Sequence, residues 1–170
     1  METAIFVTRK LEKIVSKNIS DSIEEDNARI RKWSANVFYV KRKKCWLIVN
    51  KYSRYALVLS DIKKSDLKNI TEIFIDTLYH QLDYDGLPTE HKELKKIIGD
   101  IKLLKTDNDR STNGSINDRI LSFKYWIQEF GTLENMPMRD LNGRLNRLPV
   151  ETMNWEYPKD RMRELLETDA

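Results

Sequence analysis

Three short apolar runs, "NVFYV", "CWLIVN" and "YALVLS", crowd into the segment from Asn36 to Ser60. They constrain the fold more than any other feature of the chain. Each is rich in β-branched and aromatic residues, and the separators "KRKK" and "KYSR" have room only for hairpin turns. Strands so closely spaced pair with their sequence neighbours, so an antiparallel meander is expected. "CWLIVN" is apolar on both faces, which marks a central strand covered on both sides. "AIFVT" near the N-terminus adds another strand, and the polar stretch "SKNISDSIEEDNARIRKW" is read as irregular chain or a short helix.

Downstream the hydrophobic pattern takes on a helical period. In "SDLKNITEIFIDTLYHQLDYDG", residues Leu67, Ile70, Phe74, Leu78 and Leu82 form one apolar stripe, with Ser65 as the expected N-cap and Gly86 and Pro88 as the stop. "TEHKELKKIIG" predicts a second helix and "IKLLKT" a returning strand. A third helix is predicted over 116–130, with Ile116, Ile120, Phe123, Ile127 and Phe130 on one face. Shorter helices are predicted over 138–146 and 158–166. Strands first and helices later imply an α+β fold. The expected form is an antiparallel sheet of four to five strands built mainly from residues 1–60, packed by helices from residues 65–167. With neither a repeat nor a long linker, residues 1–170 are expected to form a single domain, sheet-rich over 1–64 and mainly helical over 65–170.

Composition narrows the function classes. Hydrophobic residues make up 40% and charged residues 34%, and no apolar run reaches the roughly 18 residues of a membrane helix. "METAIFVTRKLEKI" lacks the features of a signal peptide, and one cysteine, Cys45, allows no internal disulfide; a cytoplasmic protein without membrane contact is expected. The net charge of +3 is unevenly spread. Residues 1–64 hold 15 basic and 7 acidic residues, against 15 and 20 over 65–170. A basic excess confined to one part of a chain favours anionic partners.

Two stretches carry most of this potential. In "DRSTNGSIND", Ser115 and Asp118 resemble a capping box at the start of the third helix, with Gly114 permitting a tight turn before it. The same loop suits an anion, with Arg110 as a clamp and Ser111, Asn113, Ser115 and Asn117 adding hydrogen bonds. It is neither a Walker loop nor a dinucleotide fingerprint. The second stretch is "KRKK": Lys41, Arg42, Lys43 and Lys44 form either a solvated hairpin tip or, beside Trp33, Tyr39 and Trp46, a nucleic-acid contact. Catalytic patterns are scarce. His80, followed by Asp83 and Asp85, shows no recognised ligand spacing, so neither a metal nor another cofactor is expected, and Cys45 reads as an inert core thiol.

The last third holds "LNGRLNRLPVETMNWEYP". Asn142 and Asn146, four apart, share a helical face that suits bonding to neighbouring backbone, and Trp155 is expected to plug the core. The spacing of Asn142, Asn146, Pro149, Met153, Tyr157 and Pro158 joins "WSANVFYVKRKKCWLIVNKYSRYALVL" and "RSTNGSINDRI" in a pattern. Over about residues 1–167 that pattern resembles an uncharacterised bacterial family, a domain of unknown function. Met153 and "WEYP" depart from the ending of that pattern, so this corner is expected to pack differently. The resemblance implies a small stand-alone protein, of a kind sometimes linked to plasmids, transposons and phages, and it implies no activity. A similar ending in some transposase catalytic domains is read as convergence, for their acidic triad has no counterpart here. Three functions stay open. One is a non-catalytic accessory protein of a mobile element or phage that binds nucleic acid through a basic sheet surface. Another is a protein-interaction module such as an inhibitor or counter-defence factor. The third is a small phosphodiester or nucleotide hydrolase centred on the Arg110 loop.

Overall fold

The structure, a computed structural model, describes residues 1–168. A five-stranded sheet runs in the order β4-β3-β2-β1-β5, with β1 at Glu2–Val7, β2 at Lys32–Val40, β3 at Lys43–Asn50, β4 at Ala56–Leu59 and β5 at Asp100–Leu104. The meander is present: β2 pairs antiparallel with β3, and β3 with β4. The sheet as a whole is mixed rather than antiparallel, because β1 runs parallel to both β2 and β5. Parallel neighbours need a crossover, and helix α1 (Arg9–Val15) with the irregular 16–31 segment provides it between β1 and β2. β5 comes from well beyond residue 60, so the first part of the chain supplies four strands and not the whole sheet.

Alternation sorts the strand residues onto two faces, and both are covered. Trp33, Val37, Trp46, Ile48 and Leu57 face a core closed by α1, α2 (Ile70–Tyr84), α3 (His91–Ile98) and α6 (Pro158–Thr168). Phe38, Val40, Leu47, Val49 and Val58 face a second core under α4 (Arg110–Phe130) and α5 (Met138–Asn146). β3 is therefore buried along nearly its whole length, as the double-sided apolarity of "CWLIVN" requires. Edge-to-face packing of Trp33 on Phe74, with ring centroids 5.2 Å apart, locks α2 to its face, while Phe38 stacks on Phe123 of α4 at 5.1 Å. The apolar stripe from Leu67, just before α2, to Leu82 is buried, and the turn at Gly86 ends the helix with φ +78°. Ser65 does not cap it. A 3-10 turn over Lys64–Asn69 precedes α2, and the Asp66 carboxylate accepts from the Lys63 N–H at 2.7 Å.

Three further expectations are corrected. α4 begins six residues before Ile116, with Asp109 as its N-cap: the Asp109 carboxylate accepts from the Thr112 N–H at 3.1 Å. Ser115 thus lies in the second turn, and Gly114 is helical rather than part of a turn before the cap. β2 starts at Lys32, so it takes in residues that look irregular by composition. Trp155 does not plug the core; it is 62% exposed, and Trp33 and Trp46 occupy the interior instead.

The two asparagines of α5 do what their spacing allows. Asn146 accepts from the Ala56 N–H at 2.7 Å and donates to the Ala56 carbonyl at 3.1 Å, and Asn142 donates to that same carbonyl at 2.7 Å. One carboxamide so continues the sheet past β4, an outer strand whose backbone would otherwise lie open. Asn146 also donates to the buried Asp85 carboxylate at 3.0 Å, which takes the Tyr55 hydroxyl at 2.6 Å. Burial, then the charge and hydrogen bond of Asp85, push the Tyr55 phenol far above its usual range. Helix α5 approaches this cluster closely at Gly143, where a Cβ would stand 2.8 Å from Asp85 Oδ1.

Candidate functional site

Two surfaces gather the sequence-predicted residues, one at the β2–β3 hairpin and one along α4. β2 outruns β1: the last paired residues are Val7 and Ala35, leaving Asn36–Val40 as a free edge on that side. The Asn36 side chain covers part of this edge, its Oδ1 accepting from the Val37 N–H at 2.8 Å. Beside the edge lies a groove of about 430 Å³ lined by Lys10, Tyr39, Asn117, Leu121 and Lys124. Lys10 Nζ sits 5.6 Å from the centre of the half-exposed Tyr39 ring, a cation–π contact. A smaller groove of about 100 Å³ flanks the same hairpin through Lys44, Lys63, Lys64, Ile14, Trp46 and Ile62. Among the described residues, five lysines and no carboxylate line the two grooves.

The four cations of "KRKK" fall into different roles. Lys41, with φ 56°, and Arg42 form the exposed two-residue tip. Lys43 and Lys44 belong to β3, and Lys43 is paired with Glu134 beyond the end of α4. That pair lifts the Lys43 ammonium, chiefly through its hydrogen bond, and lowers the Glu134 carboxyl by the same contact.

The second surface is a cleft of about 510 Å³ between α4 and the chain that follows α5. The five anion candidates divide between the surfaces. Arg110, Ser111 and Ser115 line this cleft, whereas Asn117 lines the hairpin groove, where it accepts from Asn36 Nδ2 at 3.4 Å. Asn113 lines neither, and its N–H is spent on the Asp109 carbonyl at 3.0 Å. Arg110 is exposed and has no ion-pair partner among the described residues.

Sequence reasoning missed two buried arginines behind these residues. Arg54, at φ 61° in the turn closed by Asn50, donates to the Lys51 carbonyl and Thr112 Oγ1, each at 2.6 Å, and to Ser111 Oγ at 2.8 Å. Arg119, 8% exposed, lines the cleft; it donates to the Arg54 carbonyl at 3.1 Å and to the Ser115 carbonyl and hydroxyl. The Nε of each guanidinium is buried without a hydrogen-bond partner, and neither forms an ion pair among the described residues. Burial, then repulsion from Arg54, bring the Arg119 guanidinium down to about 10. Asp109, the nearest acid to Arg54 by charge, is engaged elsewhere, by Lys51 Nζ at 2.8 Å and Thr112 Oγ1 at 2.7 Å. Burial alone would raise the Asp109 carboxyl, but these partners hold it well below the usual carboxylate range. The signal for Arg119 was present in the spacing: Ser111, Ser115 and Arg119 fall four apart, a small-residue stripe ending in a cation.

His80 and His91 lie on α2 and α3, which cover the opposite face of the sheet from α4. Asp85, which the sequence offers as a neighbour to His80, is consumed by Tyr55, Gln81 and Asn146. No helix among the described residues is long and apolar enough to cross a membrane. Comparison with curated proteins finds no match to the chain. Residues 4–161 match the family described as Domain of unknown function (DUF6933), and the chain belongs to that family.

Proposed function

We propose that the protein binds nucleic acid, without catalysis, through the grooves on either side of the β2–β3 hairpin. One observation carries this reading: five lysines line the two grooves, with no carboxylate lining either among the described residues. Lys10 of α1 and Lys124 of α4 stand in one, Lys44 of β3 with Lys63 and Lys64 at the start of the 3-10 turn in the other. Elsewhere the chain mixes its charges, as in the cleft along α4, where Asp118 and Glu151 accompany the arginines. Both sheet faces carry helices, so the contact lies at the end of the sheet and not on an open face. Lysine ammonium groups favour phosphates without reading sequence. Tyr39 in the groove and the exposed Tyr125 on α4 offer rings on which unpaired bases stack, with Leu121 adding apolar contact, so single strands are preferred over duplex. The setting implied by the sequence resemblance, a mobile element or phage in a bacterial cytoplasm, belongs to the same reading.

The test is a titration of labelled single-stranded and duplex oligonucleotides over a range of salt. If all five lysines meet phosphates, the logarithm of the single-strand affinity falls against log salt with a slope near −3.5, at about −0.7 per contact. Lys10→Glu with Lys124→Glu should weaken binding at least tenfold and flatten the slope. An affinity independent of salt, or unaltered in the double variant, refutes the proposal. The free Asn36–Val40 edge favours a second reading, a protein partner that adds a strand there. Such a partner would bind with little dependence on salt.

A further inference from the structure

We propose that the cleft between α4 and the 148–156 turn is a second, separate binding site, for a nucleoside phosphate held by Arg119 and Arg110 and stacked on Trp155. The cleft is two-sided in chemistry. Arg110, Arg119 and three serines (Ser111, Ser115 and Ser122) come from α4, while Leu148, Pro149, Val150 and Trp155 come from the opposite wall. Its volume of about 510 Å³ lies within the range of roughly 300–1,000 Å³ typical of small-ligand sites.

The polar wall is built for an anion. Arg119 is more than nine-tenths buried and lines the cleft; its Nη1 and Nη2 bond Ser115 and the Arg54 carbonyl, and its Nε–H, beneath the cleft surface, has no partner among the described residues. Arg54 stands behind it in the same condition, so two cations are withdrawn from water with no directly paired carboxylate among the described residues. Asp118 and Asp109 act on these arginines only through space. Since buried charge without a contacting counterion is costly, an anion in the cleft reduces that cost. Asp118 and Glu151 also line the cleft and offset Arg110 and Arg119, so the single positive charge in excess comes from Arg54 behind the wall, which suits a phosphate rather than a polyanion.

Gly114 adds a steric argument. It sits inside α4, where glycine costs stability, yet a Cβ there would meet nothing within 4 Å. The fold does not require glycine at this position, and the space it leaves belongs to the cleft.

The opposite wall presents a ring. Asn154 and Trp155 are consecutive non-glycine residues with positive φ, 54° and 63°. A bridge between Val150 and Glu156 fixes this conformation, and the Trp155 N–H donates to the Val150 carbonyl at 3.0 Å. The chain thereby holds a large indole out at the cleft instead of in the core. Backbone strain that presents a side chain at a cavity is characteristic of ligand contacts. A ligand with an anionic group at one end and a planar heterocycle at the other satisfies both walls.

The experiment is calorimetric titration of the full chain with adenosine 5′-monophosphate, ribose 5-phosphate and adenosine. The nucleotide is expected to bind below millimolar, and each half-ligand more weakly. Arg119→Met should cost at least tenfold in nucleotide affinity. Arg110→Ala, at an exposed position that leaves folding intact, should cost several-fold. Trp155→Leu should weaken the nucleotide by about 5- to 150-fold, the range that base stacking supplies, and leave ribose 5-phosphate unaltered. Equal binding of ribose 5-phosphate and nucleotide overturns the ring contact, and equal binding of adenosine overturns the phosphate contact. No binding of the nucleotide overturns the site. Lys10→Glu with Lys124→Glu leaves all three titrations unchanged, so failure here is distinct from failure at the hairpin.

Discussion

The hairpin grooves and the α4 cleft both collect positive charge, but by opposite physical means. At the hairpin the cations are lysines near the surface, whose hydrated ammonium groups move freely and are screened by salt. In the cleft an exposed Arg110 stands beside Arg119, which, with Arg54 behind it, is taken out of water, fixed by carbonyls and hydroxyls and left with an unpartnered Nε. The first arrangement attracts any polyanion and discriminates little. The second costs folding energy and in return fixes donor positions before a ligand arrives. One chain thus holds a loose electrostatic surface and a rigid, preorganised one on the same α4 helix, whose Asn117–Lys124 stretch borders the first and whose Arg110–Ser122 stretch borders the second.

Breaking the support of one region should leave the other intact. Asn146→Ala removes the carboxamide that pairs with Ala56 and leaves the Ala56 N–H buried without a partner. The expected loss is about 2–3 kcal/mol in urea unfolding, the usual range for a lost buried bond together with an unsatisfied group. Because the 148–156 turn leaves α5 directly after Asn146, nucleotide affinity should fall with it even under conditions where the variant remains folded. Oligonucleotide affinity at the hairpin should not move. Equal loss at both surfaces would show that the two are coupled and that the contrast between them is false.

The same contrast explains what could be read from the residues alone. Local, periodic features were legible: the α2 stripe, the bounds of α5, the meander and the pairing role of Asn142 and Asn146. The parallel pairing of β1 with β2 and β5 was not, because nothing near "AIFVT" encodes the direction of a partner many residues away. The start of α4 was misplaced for a related reason. Its first two turns carry serine, threonine, asparagine and glycine, weak helix formers that line a cleft or bond Arg54 instead of filling the core. Trp155 misled in the same way, since composition assigns an indole to the interior and only the left-handed backbone at 154–155 carries it outward. The cationic hairpin was visible as a run of charge, but its partners Lys10, Lys63, Lys64 and Lys124 were not, because they converge only in the fold.

A gentler change sharpens the comparison. Gly114→Ala fills open space in a helix interior, so stability should rise by about 0.8–1 kcal/mol, the difference in helix propensity. If that space serves a ligand, nucleotide affinity should drop in the same variant, giving opposite signs in thermal unfolding and in calorimetry. A gain in stability with no change in affinity would show that the glycine is unrelated to the cleft.

The smallest effect concerns a single lysine at the hairpin. Among the described residues Lys43 is the one cation of the "KRKK" run held in an ion pair, by Glu134, and the pair is open to solvent on both sides. Exposed pairs of this kind add little to folding, so Glu134→Gln should leave the unfolding midpoint where it is. It should nevertheless release Lys43 toward phosphate. Oligonucleotide affinity should then rise a few-fold at low salt, the salt slope should steepen by about 0.7, and the advantage should vanish near physiological ionic strength. The cleft should register nothing, since Glu134 lies past the C-terminal end of α4, whereas Arg110 and Arg119 stand in its N-terminal half and Arg54 in the turn between β3 and β4. A change in nucleotide affinity without a change in salt slope would place the working charge of this protein in its buried arginines and leave the lysine grooves as ordinary solvated surface.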